Sequence, residues 1–159
     1  MNRTISIAPV RKSIHVNAGA GRTFEVFTSG MSRWWPPTHS ILKVAPKEHV
    51  VEPRNGGRWY QVGVDGSVCE NGKVLAWEPP RRLLLAWQIN AEWQFDPNLI
   101  TEVEILFIEE SDRTTRVELE HRHLERMGEK AEGARAAVDA PGGWSAILES
   151  FKTVAESDH

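Results

Sequence analysis

The chain contains one cysteine, Cys69, among 159 residues. A single cysteine cannot form an internal disulfide, and it cannot by itself supply the ligands of a structural metal site. Chains without disulfides are typical of reducing compartments, so we expect a cytoplasmic protein. No flanking motif of a reactive thiol accompanies Cys69.

Long apolar runs and blocks of like charge are also missing. No window approaches the length of a membrane span, and the N-terminal residues lack the apolar core of a secretory signal, so we expect a mature chain without membrane insertion. Lys and Arg total 19 and Asp and Glu total 22, which gives a net charge of -3. Because the two signs are mixed along the chain, no surface for nucleic acid or anionic membrane is predicted.

Motifs of catalysis and of cofactor binding are scarce as well. Ser145 lies in Gly-Gly-Trp-Ser-Ala, which is not the G-x-S-x-G turn of a serine nucleophile. The Gly-Ala-Gly of residues 19–21 lacks the Lys and the Ser or Thr of a phosphate-binding loop. The sequence therefore predicts no catalytic residue and no cofactor.

An amphipathic helix is the clearest pattern that the chain does have. Over residues 141–155 the large apolar side chains follow helical spacing, at Trp144, Ile147, Leu148, Phe151 and Val154. Asp139 is a candidate N-cap, and the Pro-Gly-Gly that follows predicts a helix starting close to Trp144 and running nearly to the C-terminus. Such a helix needs a partner surface, and a sheet is the obvious one.

Most of the remaining chain favours β-strands. Alternation and turn signals predict strands over residues 4–16, 49–53, 58–64, 68–77, 82–89, 101–108 and 115–121. Two short helical segments are expected between the first two strands, one with Phe24 and Phe27 and one over residues 31–35. Residues 124–140 have little apolar material and predict a mobile loop or a poorly anchored helix. The length suits one domain over residues 1–159.

Two groups of polar side chains on the predicted strands are candidate sites. His121 and His123 would share a face if the strand continued, but no third ligand completes a metal site there, so no metal is predicted. His121 follows Val117 and Leu119 on the inward face, where it would be a polar group within an apolar pocket. Four glutamates, Glu102, Glu104, Glu118 and Glu120, are expected on the opposite, solvated face.

Several stretches together resemble a known family. VFTSGMSRWW, GGRWY, GKVLAWEPPRRLLLAWQI, TRVELEH and GGW are similar to the activator of Hsp90 ATPase homologue 1-like family, within the START-like (SRPBCC) superfamily. The resemblance covers nearly the whole chain. It implies an α+β helix-grip fold, in which a curved antiparallel sheet wraps a long C-terminal helix, two short helices follow the first strand, and a cavity lies between sheet and helix.

The resemblance and the seven tryptophans together predict a binding module for a small hydrophobic molecule. We expect a cavity of at least ~300 Å³, the lower range for small-molecule sites. The candidate lining residues are Phe27, Trp34, Trp59, Trp87, Phe107, His121, Trp144, Leu148 and Phe151. The alternatives are a polyketide cyclase or aromatase-like enzyme that uses the same cavity, and a protein-interaction module with a chaperone partner. A homodimer is compatible with each.

Overall fold

Residues 7–157 of the protein are described by a computed structural model. The strands are β1 Val10–Val16, β2 Pro46–Val51, β3 Arg58–Gly63, β4 Val68–Glu78, β5 Arg82–Trp87, β6 Thr101–Ser111 and β7 Thr114–Arg122. The α-helices are α1 Ala20–Thr28, α2 Ala131–Asp139 and α3 Ala146–Ser157. Short 3-10 segments cover Met31–Arg33, Pro37–His39 and Leu124–Lys130.

The seven strands form one antiparallel sheet in the order β1-β7-β6-β5-β4-β3-β2. This sheet curls around the C-terminal helix, so the predicted helix-grip architecture is confirmed. Each predicted strand has a counterpart that differs by a few residues at its ends. The first begins at Val10, and the predicted residues 4–6 lie outside the described part of the chain.

Alternation along β6 and β7 sends apolar side chains to the inner face of the sheet. Val103, Ile105 and Phe107 are buried there, in register with residues of β7. The glutamates of both strands lie on the outer face, where Arg122 binds the carboxylates of Glu102 and Glu104 at 3.0 and 2.9 Å. The period of two in the sequence therefore predicted correctly which face is buried.

The C-terminal helix begins two residues later than the expected Trp144. A π-type turn over Pro141–Ser145 precedes α3, and Trp144 lies within that turn. Asp139 does not cap the helix, because it is the last residue of α2 and its carboxylate binds Lys12 at 2.8 Å. The predicted N-cap is therefore wrong, because Asp139 belongs to the preceding helix.

Residues 124–140 form a packed segment that contains α2, so the alternative of a mobile loop is wrong, and the helix is well anchored where a poorly anchored one was expected. Leu124, Ala131, Ala134 and Val138 are buried, and the last three follow helical spacing along one face of α2. Two of these three are alanines, whose small side chains give a weak apolar pattern in the sequence. Within residues 7–157, no helix combines the length and the apolar character needed to cross a membrane.

Candidate functional site

A cavity of about 370 Å³ opens at one end of the gap between sheet and helices. Its walls come from the end of β5, from the segment after Trp35 and from the junction of α2 with α3. Apolar side chains from these elements include Ile89, Val138 and Ile147, all of which are buried. The volume exceeds the expected lower limit, and the cavity is continuous with solvent at its mouth, where Gly142 is exposed.

Four tryptophans form a closed ring of contacts behind and along this cavity. Their ring centroids are 6.0 Å apart for Trp35 and Trp59, 5.8 Å for Trp59 and Trp87, 5.5 Å for Trp87 and Trp144, and 6.0 Å for Trp144 and Trp35. Trp35, Trp87 and Trp144 line the cavity, while Trp59 is fully buried between two of them. Tilted and edge-to-face contacts of this kind hold indole rings in fixed orientations.

Each of the three ring tryptophans that line the cavity also has its orientation fixed by a hydrogen bond. Trp35 donates its Nε1–H to the carbonyl of His39 at 3.1 Å, and Trp87 donates to the carbonyl of Ile89 at 3.1 Å. Trp144 donates to a histidine ring, as described below. The cavity walls are therefore preorganised aromatic surfaces, which suit a flat apolar molecule.

The mouth of the cavity is bridged by one polar contact. His39 Nε2 donates to the carbonyl of Gly142 at 2.6 Å, and its Nδ1 lies 3.0 Å from the hydroxyl of Thr38. Among the residues that line the cavity in the described chain, His39 carries the one titratable side chain. Any proton transfer by a lining group would therefore involve His39.

Trp93 lies at the same mouth in an unusual state. Its φ is 61°, a left-handed value that is strained for a bulky residue, and 46% of its surface is exposed. The surrounding turn is held by Asn90, whose Oδ1 accepts the backbone N–H groups of Glu92 and Gln94, both at 3.0 Å. Such strain concentrates at ligand clamps because it persists only where neighbouring contacts enforce it.

Five of the nine predicted lining residues lie in the closed core, away from the cavity. Phe27 contacts Trp34, Phe107 and Phe151 at centroid distances of 4.9, 5.7 and 5.1 Å, and Leu148 is buried on α3. Trp87 and Trp144 do line the cavity, and Trp59 supports it from behind. The predicted set thus divides into an aromatic core and a tryptophan ring, which meet where Trp34 contacts Trp35 at a centroid distance of 5.8 Å.

His121 is fully buried next to this ring. Its Nδ1 accepts the indole N–H of Trp144 at 3.1 Å, and its Nε2 lies 2.9 Å from the Thr101 hydroxyl, which itself donates to the carbonyl of Trp87. This pattern requires the proton on Nε2 and a neutral ring. Burial lowers the pKa of His121 to about 3, in agreement with that assignment. His121 is thus positioned to orient Trp144.

His123 does not share the environment of His121. Its φ of 65° turns the chain out of the strand, and its ring lies 3.8 Å from the carboxylates of Glu102 and Glu125. The strand ends at Arg122, so the condition under which the two rings would share a face is not met. Within the described residues, no group of three or more potential ligands comes together to hold a metal ion.

The main omissions from the sequence-based set are Trp35, Ile147 and Trp93. Trp35 adjoins the predicted Trp34, and the sequence gives no means of choosing between neighbours at a helix end. Ile147 lies on the same apolar stripe as the predicted Leu148. Trp93 lies in a loop and has no periodic pattern around it.

Comparisons with known proteins show which family and which solved structures the chain is similar to. Residues 17–156 match the family described as "Activator of Hsp90 ATPase homolog 1-like protein". A solved structure of an anthrahydroquino-gamma-pyrone synthase, Txn09, complexed with SUM is similar to 94% of this chain and 97% of that one, at 39% identity and a TM-score of 0.67. The comparison with curated proteins gave no match.

Two further structures extend the likeness. CalC from Micromonospora echinospora, a self-sacrificing resistance protein, is 31% identical, with 92% of this chain and 93% of that one covered and a TM-score of 0.69. The Aha1 dimer from Colwellia psychrerythraea is 14% identical over 95% and 98% of the two chains, with a TM-score of 0.62. The last likeness, at low identity, concerns the fold alone.

Proposed function

The chain belongs to the activator of Hsp90 ATPase homologue 1-like family, and we propose that it binds a flat, mostly apolar aromatic molecule in the cavity at the tryptophan ring. The single observation that carries this proposal is the cavity itself. Three preorganised indole faces and several buried aliphatic side chains surround a volume of about 370 Å³. That volume suits a molecule of two to four fused rings.

The chemistry of the walls supports an apolar ring system. Stacking or edge-to-face contact between an indole and another aromatic ring stabilises the pair by about 0.5 to 1.5 kcal/mol, in addition to the contribution of the buried surface area. The hydroxyls of Thr38 and Ser40 add a few polar groups to one side of the cavity. Sites of this composition typically fix a ligand by shape and orient it by a small number of hydrogen bonds.

The similar proteins add support from their described activities. One is a synthase of an anthrahydroquino-gamma-pyrone and shares 39% identity over 94% of this chain. Its name describes a fused-ring product, which matches the kind of molecule that the tryptophan walls favour.

A cyclase-like or synthase-like enzyme is the second candidate function, favoured by that 39% identity. In this case the walls would hold a reactive intermediate, and His39 would serve as the acid or base at the mouth. A chaperone-partner role is less well supported, because we expected it to accompany an exposed apolar patch and a closed interior. Homodimer formation remains compatible with either leading function.

The binding proposal is tested by filling the cavity from its rim. Ala137 lines the cavity and Ala136 does not, yet both are exposed on α2. Ala137→Trp should weaken binding of the tricyclic hydrocarbon fluorene at least about tenfold in calorimetric titration, while Ala136→Trp should bind as the parent does. Equal binding by the two variants, or none by the parent, contradicts the proposal.

Catalysis is tested separately. Protein purified from its own host is analysed by native mass spectrometry, and any retained molecule is incubated with parent and with His39→Gln. Conversion by the parent and its loss in the variant would favour the enzyme. Release of the molecule unchanged by both proteins supports the binding function.

A further inference from the structure

Ser40 lines the cavity, and most of the hydrogen-bonding capacity of its hydroxyl is already used. Its proton is donated to Gln61 Oε1 at 2.5 Å, and its oxygen accepts the backbone N–H of Leu42 at 3.1 Å. A serine hydroxyl has one proton to donate and two lone pairs to accept with. Among residues 7–157, one acceptor position of Ser40 Oγ therefore remains without a donor.

The direction of the Ser40 hydroxyl is set by two buried amides behind it. Gln61 Nε2 donates to Asn71 Oδ1 at 3.1 Å, so Gln61 presents its Oε1 to Ser40. Gln61 and Asn71 are each 1% exposed, so these amides belong to the protein interior. If Ser40 turned its proton toward the cavity, Gln61 Oε1 would be left unpaired at a cost of about 1 to 3 kcal/mol. The chain of hydrogen bonds therefore runs one way, with each member donating inward.

Three indoles and the imidazole of the cavity wall also donate to protein acceptors. The indole N–H groups of Trp35 and Trp87 bind backbone carbonyls, and that of Trp144 binds an imidazole nitrogen. His39 Nε2 donates to a carbonyl across the mouth. A ligand that accepts from any of these groups would have to break an existing bond. A ligand that donates can instead use the unused lone pair of Ser40.

The charge of the lining selects among the ligands that could donate. No Lys or Arg of the described chain lines the cavity, so a carboxylate or a phenolate would lose its hydration there without gaining a cation. A neutral hydroxyl on an aromatic ring keeps its proton for donation and places the ring against the tryptophans. Because Ser40 itself donates to Gln61, its oxygen is polarised toward accepting, which is the cooperative effect of hydrogen-bonded chains.

We propose that Ser40 is the hydrogen-bond acceptor of the ligand site, and that the bound molecule is a neutral hydroxyarene whose ring hydroxyl donates to Ser40 Oγ. This inference rests on the proposed function and adds the class of ligand to it. The ligand hydroxyl extends the inward chain by one member, so that it donates to Ser40, Ser40 to Gln61 and Gln61 to Asn71. An aromatic ketone lacks the proton and gains nothing from the unused lone pair.

The ring-hydroxylated fluorenes, from 1-hydroxyfluorene to 4-hydroxyfluorene, test this inference on the unaltered chain. Each is compared with fluorene, which lacks the hydroxyl, and with its own methyl ether, which keeps the oxygen and lacks the proton. An apolar cavity alone favours fluorene, because a hydroxyl gives up hydrogen bonds to water on burial. We expect at least one isomer to bind about fivefold more tightly than both fluorene and its methyl ether in calorimetric titrations, as one net hydrogen bond would produce. Fluorenone should bind no more tightly than fluorene.

Ser40→Ala removes the acceptor and should bring the preferred hydroxyfluorene to the affinity of fluorene or below, while fluorene is still bound. Ser40→Cys is a second loss variant, which keeps a side chain of similar size and offers only a weak acceptor. Ser40→Thr keeps a hydroxyl on the same extended backbone and should keep the preference. Ser29→Ala is the matched control, because the Ser29 hydroxyl donates to the carbonyl of Glu25 at 3.0 Å and does not line the cavity. Thermal melts show which variants are folded.

The outcomes separate this inference from the proposed function. If fluorene binds and no hydroxyfluorene binds more tightly, the acceptor role of Ser40 is overturned and the aromatic site stands. A methyl ether that binds as tightly as its hydroxyfluorene, a preference for fluorenone, or a hydroxyl preference that survives the loss variants also overturns it. Binding of none of the probes contradicts both proposals.

Discussion

Trp144 donates its indole N–H to Nδ1 of His121 across 3.1 Å in the interior of the protein. This bond connects the turn before α3 to strand β7, and Thr101 of β6 extends it through His121 Nε2 at 2.9 Å. One wall of the cavity is therefore held by a neutral histidine whose two ring nitrogens are both engaged. The arrangement accounts for a buried imidazole in an otherwise apolar part of the sheet.

Replacement of His121 by Phe should lower the free energy of unfolding by about 1 to 3 kcal/mol, because the Trp144 N–H then lacks an acceptor. Trp144→Phe introduced into the same chain removes that donor, so the double variant should lose less than the sum of the two single losses. Urea unfolding of the four proteins gives the coupling. Strictly additive losses would mean that the bond contributes nothing to stability.

We predict that the protein loses stability in mild acid because two of its histidines are buried. Burial lowers the pKa of His121 to about 3 and that of His49 to about 4, whereas both titrate near 6.5 in the unfolded chain. Below about pH 6.5 the unfolded state therefore binds more protons, and stability falls as the pH drops toward the folded values. Each ring should lower the free energy of unfolding by about 2 kcal/mol between pH 7 and pH 5.

Urea melts at these two pH values measure the effect. His121→Gln and His49→Gln should each remove about half of the pH dependence. A parent protein with the same free energy of unfolding at pH 7 and pH 5 would show that these rings are protonated when folded.

Trp93 should affect binding without contributing to stability. Its ring is about half exposed at the cavity mouth and its backbone is left-handed, a conformation that glycine adopts without strain. Trp93→Gly should therefore leave the melting temperature unchanged or raise it, while fluorene binding weakens about three- to tenfold through loss of one aromatic contact. Trp93→Phe keeps a ring and should bind nearly as the parent does. Unchanged affinity in the glycine variant would exclude a clamping role.

A pair of glycines offers a sharp test of the packing behind the tryptophan ring. A Cβ atom on Gly72 would lie 1.7 Å from the carbonyl oxygen of Ala86. Among the described residues, a Cβ on Gly133 would have no atom within 4 Å other than the adjacent backbone of its own helix and its two chain neighbours. Gly72→Ala should cost at least about 3 kcal/mol, because backbone atoms of β4 or β5 must move. Gly133→Ala, inside α2, should instead stabilise the protein by about 0.5 to 1 kcal/mol. Thermal melts compare the two, and a Gly72→Ala variant as stable as the parent would contradict the strand positions.

The strands and the C-terminal helix could be predicted because each has a local period. Val103, Ile105 and Phe107 alternate with glutamates, and the stripe from Ile147 to Val154 repeats with the helical turn. These patterns depend only on which apolar side chains become buried when the chain folds. From the sequence, residues 124–140 are predicted as a loop or a poorly anchored helix because Ala131 and Ala134 bury little area, so the apolar face of α2 is weak in the sequence although it packs well in the fold.

The sequence by itself determined the family, the fold and the presence of many aromatic side chains for the interior. The tertiary structure alone decided which of them face the cavity. Trp34 turns into the core, where its N–H reaches the carbonyl of Val26, while Trp35 turns to the cavity. His121 was placed inward by alternation, but its partners come from β6 and from the turn before α3. Neighbouring residues in a turn have no fixed direction, so the sequence does not show which of them faces the cavity. Hydrogen bonds between elements far apart in the sequence leave no local pattern. Only the packed chain therefore decides which side chains form the site.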